Sequence, residues 1–78
     1  MAMSEVEWID VFGDNLVDML KDARMTQKEL AEEARVSNAT ISNYIHKKQM
    51  PNTRALVNIA YALNCSLNDL MDFGDDIE

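Results

Sequence analysis

The stretch TQKELAEEARVSNATISNYI, residues 26–45, decides the fold of this chain. It contains two helix starts only eleven residues apart. At the first, Thr26 is followed three residues later by Glu29, the capping-box pattern in which each side chain satisfies a backbone amide at the start of the helix. At the second, Ser37 is an N-cap candidate. The stretch therefore predicts one helix that ends near Arg35 and another that runs from Asn38 to about Lys47.

The apolar residues of these two helices recur at helical spacing, so each helix has one face for a core. A helix-turn-helix crosses two such helices at about 90–120° through a short turn. Ala31 is small enough for the helices to approach each other at that point. The residues expected to be buried are Leu30, Ala31 and Ala34 in the first helix and Ile41, Tyr44 and Ile45 in the second.

Helices are also predicted on both sides of this pair. One covers about residues 8–24, although Gly13 inside it costs about 1 kcal/mol relative to alanine. Pro51 cannot continue the preceding helix, so a new one begins after it, capped by Asn52 or Thr53. Their expected core residues are Phe12, Leu16, Met19, Leu20 and Ala23 in the first helix and Leu56, Ile59, Ala60 and Leu63 in the fourth.

The end of the chain predicts a fifth helix. Asn64 suits the left-handed position that closes the fourth helix. Ser66 and Asp69 then repeat the pattern of a cap and an acid three residues on, and Gly74 ends the segment. Its expected core residues are Leu67, Leu70 and Met71.

Five short helices and no strand predict an all-α fold, a compact five-helix bundle that contains a helix-turn-helix. A chain of 78 residues is long enough for one domain with one modest core. We place that domain at residues 8–73, after an N-terminal extension at 1–7 and before an acidic C-terminal tail at 74–78.

Charge is distributed unevenly along the chain, which carries a net charge of −7. Residues 1–33 hold nine acids and three bases, whereas residues 69–78 hold five acids and no base. Residues 34–68 hold four bases and no acid. A nearby phosphate backbone would disfavour carboxylates in that segment, which offsets the objection that an acidic protein should not bind nucleic acid. The alternative is a solvated face that happens to be neutral.

Several functional classes find no support in the sequence. A single cysteine, Cys65, allows neither an internal disulfide nor a multi-cysteine zinc site, and we expect an inert thiol. His46 has no partner at metal-ligand spacing, so we expect a surface histidine and no metal or cofactor. The sequence contains no nucleophile–base pair and no phosphate-binding loop, so nothing in it indicates an enzyme. Without a signal pattern or an apolar run of about 20 residues, we expect a cytoplasmic protein with no membrane contact and no evident small-molecule ligand.

The chain resembles the lambda repressor and Cro-like (Xre-type) helix-turn-helix family over residues 12–73. The resemblance rests on TQKELA at 26–31, VSNATISNYI at 36–45, PN at 51–52 and the run from Ile59 to Leu70. It implies a five-helix fold, binding of double-stranded DNA and a role in transcriptional control. It also implies that the third helix enters the major groove.

The resemblance assigns roles to particular residues. The positions that read bases are Ser37, Asn38, Ala39, Ser42 and Asn43. The positions that approach phosphates are Gln27, Lys28, Lys47, Lys48 and Arg54. Asparagine pairs with adenine through two hydrogen bonds, alanine can touch a thymine methyl, and helix N-termini bind phosphate.

Simpler interpretations of some of these residues stay open. Asn38 would also extend the cap of its helix, Asn43 would also be tolerated on any surface, and Gln27 is a good helix former. Trp8 lies before the matched region, where it would either cover the bundle or contact a partner.

The chain departs from the family at three places. Arg35 and Lys47 stand where the family often has glycine, and we predict that both keep a positive φ at about 1 kcal/mol each. In some phage repressors an ion pair joins late helix 1 to late helix 3, and Leu20 and Ile45 occupy the matching positions here. Packed hydrophobic residues can replace such a pair without loss, so we predict direct contact between the two side chains.

These observations favour a sequence-specific transcription regulator, a repressor acting as a symmetric homodimer. Helix 5, with Met71 or Phe73, is the candidate dimer contact. The alternative is a protein-binding module on the same fold, antitoxin-like or a partner of a regulator, whose acidic ends dock a basic protein. The sequence leaves open the operator, the direction of regulation and a phage or chromosomal origin.

Overall fold

The computed structural model describes residues 4–70, with only the backbone described at Glu5 and Asn68. Four helices span Glu5–Ala23 (α1), Gln27–Ala34 (α2), Asn38–Ile45 (α3) and Thr53–Ala62 (α4). A fifth segment, Leu67–Leu70 (α5), is helical up to the last described residue. Residues 4–70 contain no strand, so the all-helical class is confirmed, with four full helices and a fifth segment of which four residues are described. The predicted helix end at Gly74 and the core position at Met71 lie outside the described residues.

Polar side chains cap the start of each helix. The Thr26 hydroxyl accepts from the Glu29 amide at 3.1 Å, and the Glu29 carboxylate accepts from the Thr26 amide at 3.0 Å. That bond lowers the pKa of Glu29. Ser37, Asn52 and Ser66 accept in the same way from the third residue after them. The predicted caps are thus confirmed, with Asn52 the residue that caps α4.

Helix α1 begins three residues earlier than predicted. Ser4 has extended backbone and its hydroxyl accepts from the Glu7 amide at 3.2 Å, so the helix starts at Glu5 and not near Trp8. Trp8 stacks on Phe12 with ring centroids 5.5 Å apart and packs partly buried against the core. Of the two roles considered for Trp8, the structure therefore shows a cover over the bundle.

Helices α1–α4 are each followed within two residues by a left-handed residue that is not glycine: Arg24, Arg35, Lys47 and Asn64, with φ between 54° and 63°. After each one, the next amide bonds the carbonyl five residues back, which is the Schellman pattern. The predictions for Arg35, Lys47 and Asn64 are confirmed, and the strained end at Arg24 was not foreseen.

Replacing Arg35 with glycine is expected to raise the free energy of unfolding by about 0.5–1 kcal/mol, because glycine adopts this conformation without a Cβ clash. Thermal unfolding should then shift upward by a few degrees, at about 4–8 °C per kcal/mol. Arg35→Ala is the control, since it removes the charge and keeps the Cβ. An equal gain in both variants would mean that charge, and not backbone strain, limits stability here.

The core gathers residues from all five segments. Two core predictions are wrong: Ala23 is exposed, and Leu67 is 44% exposed. The chain turns back at Arg24, so Met25 packs against the core where Ala23 was expected. Leu67 is the first residue of α5, and the buried residue in the described part of that helix is Leu70. Among the described residues, the buried core consists of Phe12, Leu16, Leu20, Leu30, Ala31, Ala34, Ile41, Tyr44, Ala55, Ile59, Ala60 and Leu70.

Helix α3 is held from two sides, by α2 and by α1. The approach of α1 is close at Gly13, where a Cβ would lie 3.0 Å from the Tyr44 carbonyl oxygen. Side-chain amides tie other helix ends: Asn58 donates to the Ala34 carbonyl at 3.3 Å and Asn15 to the Leu70 carbonyl at 2.8 Å. The packing of α1 and α2 against α3 leaves the polar side of α3 outward.

Candidate nucleic-acid interface

The outer side of α3 carries a row of small residues, three polar and one alanine, here called the reading strip: Asn38, Ala39, Ser42 and Asn43. Asn38 and Ala39 are exposed, and Ser42 and Asn43 are partly exposed. On the opposite side of the helix, Ile41 and Tyr44 are buried in the core. The amphipathic pattern thus leaves short amide and hydroxyl groups facing outward, the groups that read base edges.

Ser37 lies at the start of α3, immediately before the reading strip. Its hydroxyl accepts from the Thr40 amide at 3.0 Å and lies 2.7 Å from the Thr40 hydroxyl. The exposed Ser37 side chain therefore serves the helix cap in this structure. A base contact by Ser37 would have to use its remaining hydrogen-bonding capacity.

Asn43 is oriented by a residue that the sequence did not suggest. Its Nδ2 donates to Oε1 of Gln49, in the loop after α3, at 3.2 Å. This bond uses one of the two amide protons. The second proton and Oδ1 are the donor and acceptor that a bidentate contact with adenine requires. Gln49 therefore fixes which way the Asn43 amide faces.

His46 closes the same face of α3. Its Nδ1 lies 2.8 Å from the Ser42 carbonyl oxygen. A carbonyl oxygen only accepts, so Nδ1 carries the proton and Nε2 is an acceptor in the neutral ring. The described residues contain no group of three His, Cys, Asp or Glu side chains placed to hold a metal ion.

The residues assigned to phosphate contact differ in their surroundings. Lys28, Lys48 and Arg54 are exposed, and Gln27 is partly buried at the first position of α2. The Lys47 ammonium lies instead between two carboxylates of α1. Its Nζ is 2.7 Å from Asp10 and 2.8 Å from Asp14, and these partners raise the pKa of Lys47.

Residues 34–68 contain no acidic residue, but the surface that they form does have carboxylates beside it. Asp10 and Asp14 come from α1, far from α3 in sequence, yet they reach the residue that ends α3. The charge count along the chain could not show this, since it depends on which helix packs beside which.

The sole cysteine is partly buried, and burial together with nearby Asp69 raises the pKa of the Cys65 thiol. This agrees with the expected unreactive thiol.

Residues 15–76 match the family model of the Cro/C1-type HTH DNA-binding domain. Among solved structures, the clp gene regulator ClgR from C. glutamicum has a similar fold, with a TM-score of 0.76 and 27% identity over 81% of this chain and 82% of that chain. No curated protein matches the chain. No helix among the described residues is long and apolar enough to cross a membrane.

The family match covers both α2 and α3, and it includes the reading strip. It extends over more than half of the chain, and the resemblance inferred from the sequence is confirmed. The chain belongs to the Cro/C1-type helix-turn-helix family of DNA-binding domains.

Proposed function

We propose that this protein is a sequence-specific transcription regulator that inserts α3 into the major groove of double-stranded DNA. The observation that carries the proposal is the reading strip, four small side chains on the outer face of a short capped helix whose inner face is anchored in the core. Family membership supports DNA as the partner. A similar fold occurs in a protein described as a gene regulator, which supports a role in transcription.

Within this proposal, the reading strip contacts base edges. Asn38 and Asn43 each pair with an adenine, Ala39 touches a thymine methyl, and Ser42 serves a base or the backbone. Ser37 contributes through the hydrogen-bonding capacity of its hydroxyl that is not used in capping α3. The residues that approach phosphates are Gln27, Lys28, Lys48 and Arg54.

We further propose a homodimeric repressor in the cytoplasm, where bacterial or phage DNA is found. Two copies of α3 related by a two-fold axis would enter successive major grooves about 34 Å apart. The sequence suggests Met71 and Phe73 as dimer contacts, and both lie outside the described residues.

A protein-binding module is the second candidate. It is favoured by an exposed aromatic side chain on α4: Tyr61 is 88% exposed and Val57, one turn earlier, is 47% exposed.

Selection of bound duplexes from random DNA, followed by a salt titration, tests the proposal. A DNA regulator should enrich a sequence with two-fold symmetry. Its affinity should fall steeply with salt, with a slope near −0.9 for each phosphate neutralised. The absence of any bound duplex at low salt would contradict DNA binding and favour the protein-binding module. An enriched site without symmetry would contradict the dimer.

Two variants separate base reading from phosphate contact. Asn43→Ala should relax the preference at one base step by roughly 1–3 kcal/mol and leave other positions unchanged. Lys48→Ala should weaken all sequences alike and flatten the salt slope by about 0.9. If Asn43→Ala weakened every sequence equally, its assignment to base reading would be wrong.

A further inference from the structure

The end of α3 is attached to α1 by one lysine. The aliphatic stem of Lys47 crosses Gly13, where a Cβ would lie 3.0 Å from Lys47 Cγ and 3.3 Å from Lys47 Cε. Its ammonium then reaches Asp10 at 2.7 Å and Asp14 at 2.8 Å. Asp10 and Asp14 are one helical turn apart on the same face of α1, with Gly13 between them in the sequence. The glycine, the acids and the lysine together form one clamp.

Lys47 also occupies a backbone position that favours glycine. Lys47 holds a left-handed conformation with φ 63°, which glycine would adopt without strain. The side chain at this strained position is engaged by two carboxylates. Neighbouring Lys48 is exposed like Lys47, but it forms no salt bridge within residues 4–70.

We infer that Lys47 is a positioning residue that fastens the C-terminal end of α3 to α1 through Asp10 and Asp14, and that it makes no phosphate contact in the DNA complex. To reach a phosphate, the ammonium would give up two carboxylates for one phosphate group. It would also leave both carboxylates unneutralised close to the DNA backbone, where like charges repel. The part that concerns phosphate rests on the DNA-binding function proposed above.

A double-mutant cycle in thermal unfolding tests the clamp without DNA. Lys47→Gln keeps the left-handed Cβ residue and removes the charge, so strain is unchanged. We expect it to lower Tm by on the order of 4 °C at low salt in the wild-type chain. In the Asp10→Asn, Asp14→Asn background it should have almost no effect, because the partners are gone. Lys47→Arg should recover most of the loss. An equal drop in both backgrounds would overturn the clamp.

The salt dependence of DNA binding tests the second half of the inference. The probe is a fluorescent duplex carrying the selected sequence, or random-sequence duplex if selection recovers none. Lys47→Gln should leave the slope of log affinity against log salt unchanged. The matched control, Lys48→Gln, should flatten it by about 0.9. Equal flattening in both variants would overturn the inference and return Lys47 to the phosphate contacts.

The two failures can be told apart. If the wild-type chain bound no duplex at any salt concentration, the proposed DNA-binding function would fail. The unfolding cycle would still decide whether Lys47 fastens α3 to α1. If the wild-type chain bound DNA with a steep slope and Lys47→Gln flattened it, only the role of Lys47 would be wrong.

Discussion

Truncation of Ile41 to alanine is expected to lower the free energy of unfolding by about 2–5 kcal/mol. Ile41 is fully buried at 0% exposure, on the inner side of α3. The loss combines the transfer energy of the removed methyl and methylene groups with the cavity that rigid neighbours leave behind. A domain of 78 residues has roughly 4–12 kcal/mol of total stability, so the variant should lose a large share of it and unfold at a clearly lower urea concentration.

Urea unfolding followed by circular dichroism measures this loss. Val57→Ala is the control, because Val57 is an apolar residue on α4 that is 47% exposed. That change should alter stability by less than about 0.5 kcal/mol. Ile41 faces away from the reading strip, so DNA affinity in the variant should fall only in proportion to the unfolded fraction. Similar losses in the two variants would contradict the placement of Ile41 in the core.

Replacement of Gly13 with valine is expected to cost about 3 kcal/mol, at the upper end of the range for overpacking. The new Cβ would lie 3.0 Å from the Tyr44 carbonyl oxygen, which is backbone of α3 and cannot rotate away. It would also lie 3.0 Å from Lys47 Cγ. To relieve these contacts α1 must shift from α3, which would separate the Lys47 ammonium from its carboxylates. The better helix propensity of valine offsets only about 0.4 kcal/mol of this.

Ala23→Val is the matched control for Gly13→Val. Ala23 is exposed on the same helix, so the added β-branch meets only the propensity cost, below about 0.7 kcal/mol. Both variants are compared by their urea midpoints. A Gly13→Val protein as stable as Ala23→Val would show that α1 and α3 are not in close contact at this point.

The sequence predicted the helix boundaries well where the signals were local. Thr26 with Glu29, and Ser37 with the Thr40 amide, are bonds within a single helical turn. It missed the cap at Ser4, so the start of α1 was predicted three residues too late. It also failed at Leu67, because periodicity shows which residues can share a face but not how far the core extends.

The candidate site was predictable only in part. The reading strip followed from the two faces of α3 together with the family resemblance. The roles assigned to its residues and to the cations stay predictions, as does direct contact between Leu20 and Ile45. Leu20 is buried and Ile45 packs partly buried against the same core. Gln49 was missed because its bond to Asn43 depends on the path of the loop after α3.

By itself, the sequence determined where α2 and α3 begin and which of their faces meet the core, whereas the positive φ at Arg35 and Lys47 was predicted from the family resemblance. Caps and helical periodicity join residues a few positions apart, so neighbouring residues suffice to predict them. Only the tertiary structure decided that Asn58 reaches Ala34, that Gly13 admits α3, and that Lys47 lies between Asp10 and Asp14. Those contacts join residues 24 or more positions apart, and they exist because particular helices pack side by side.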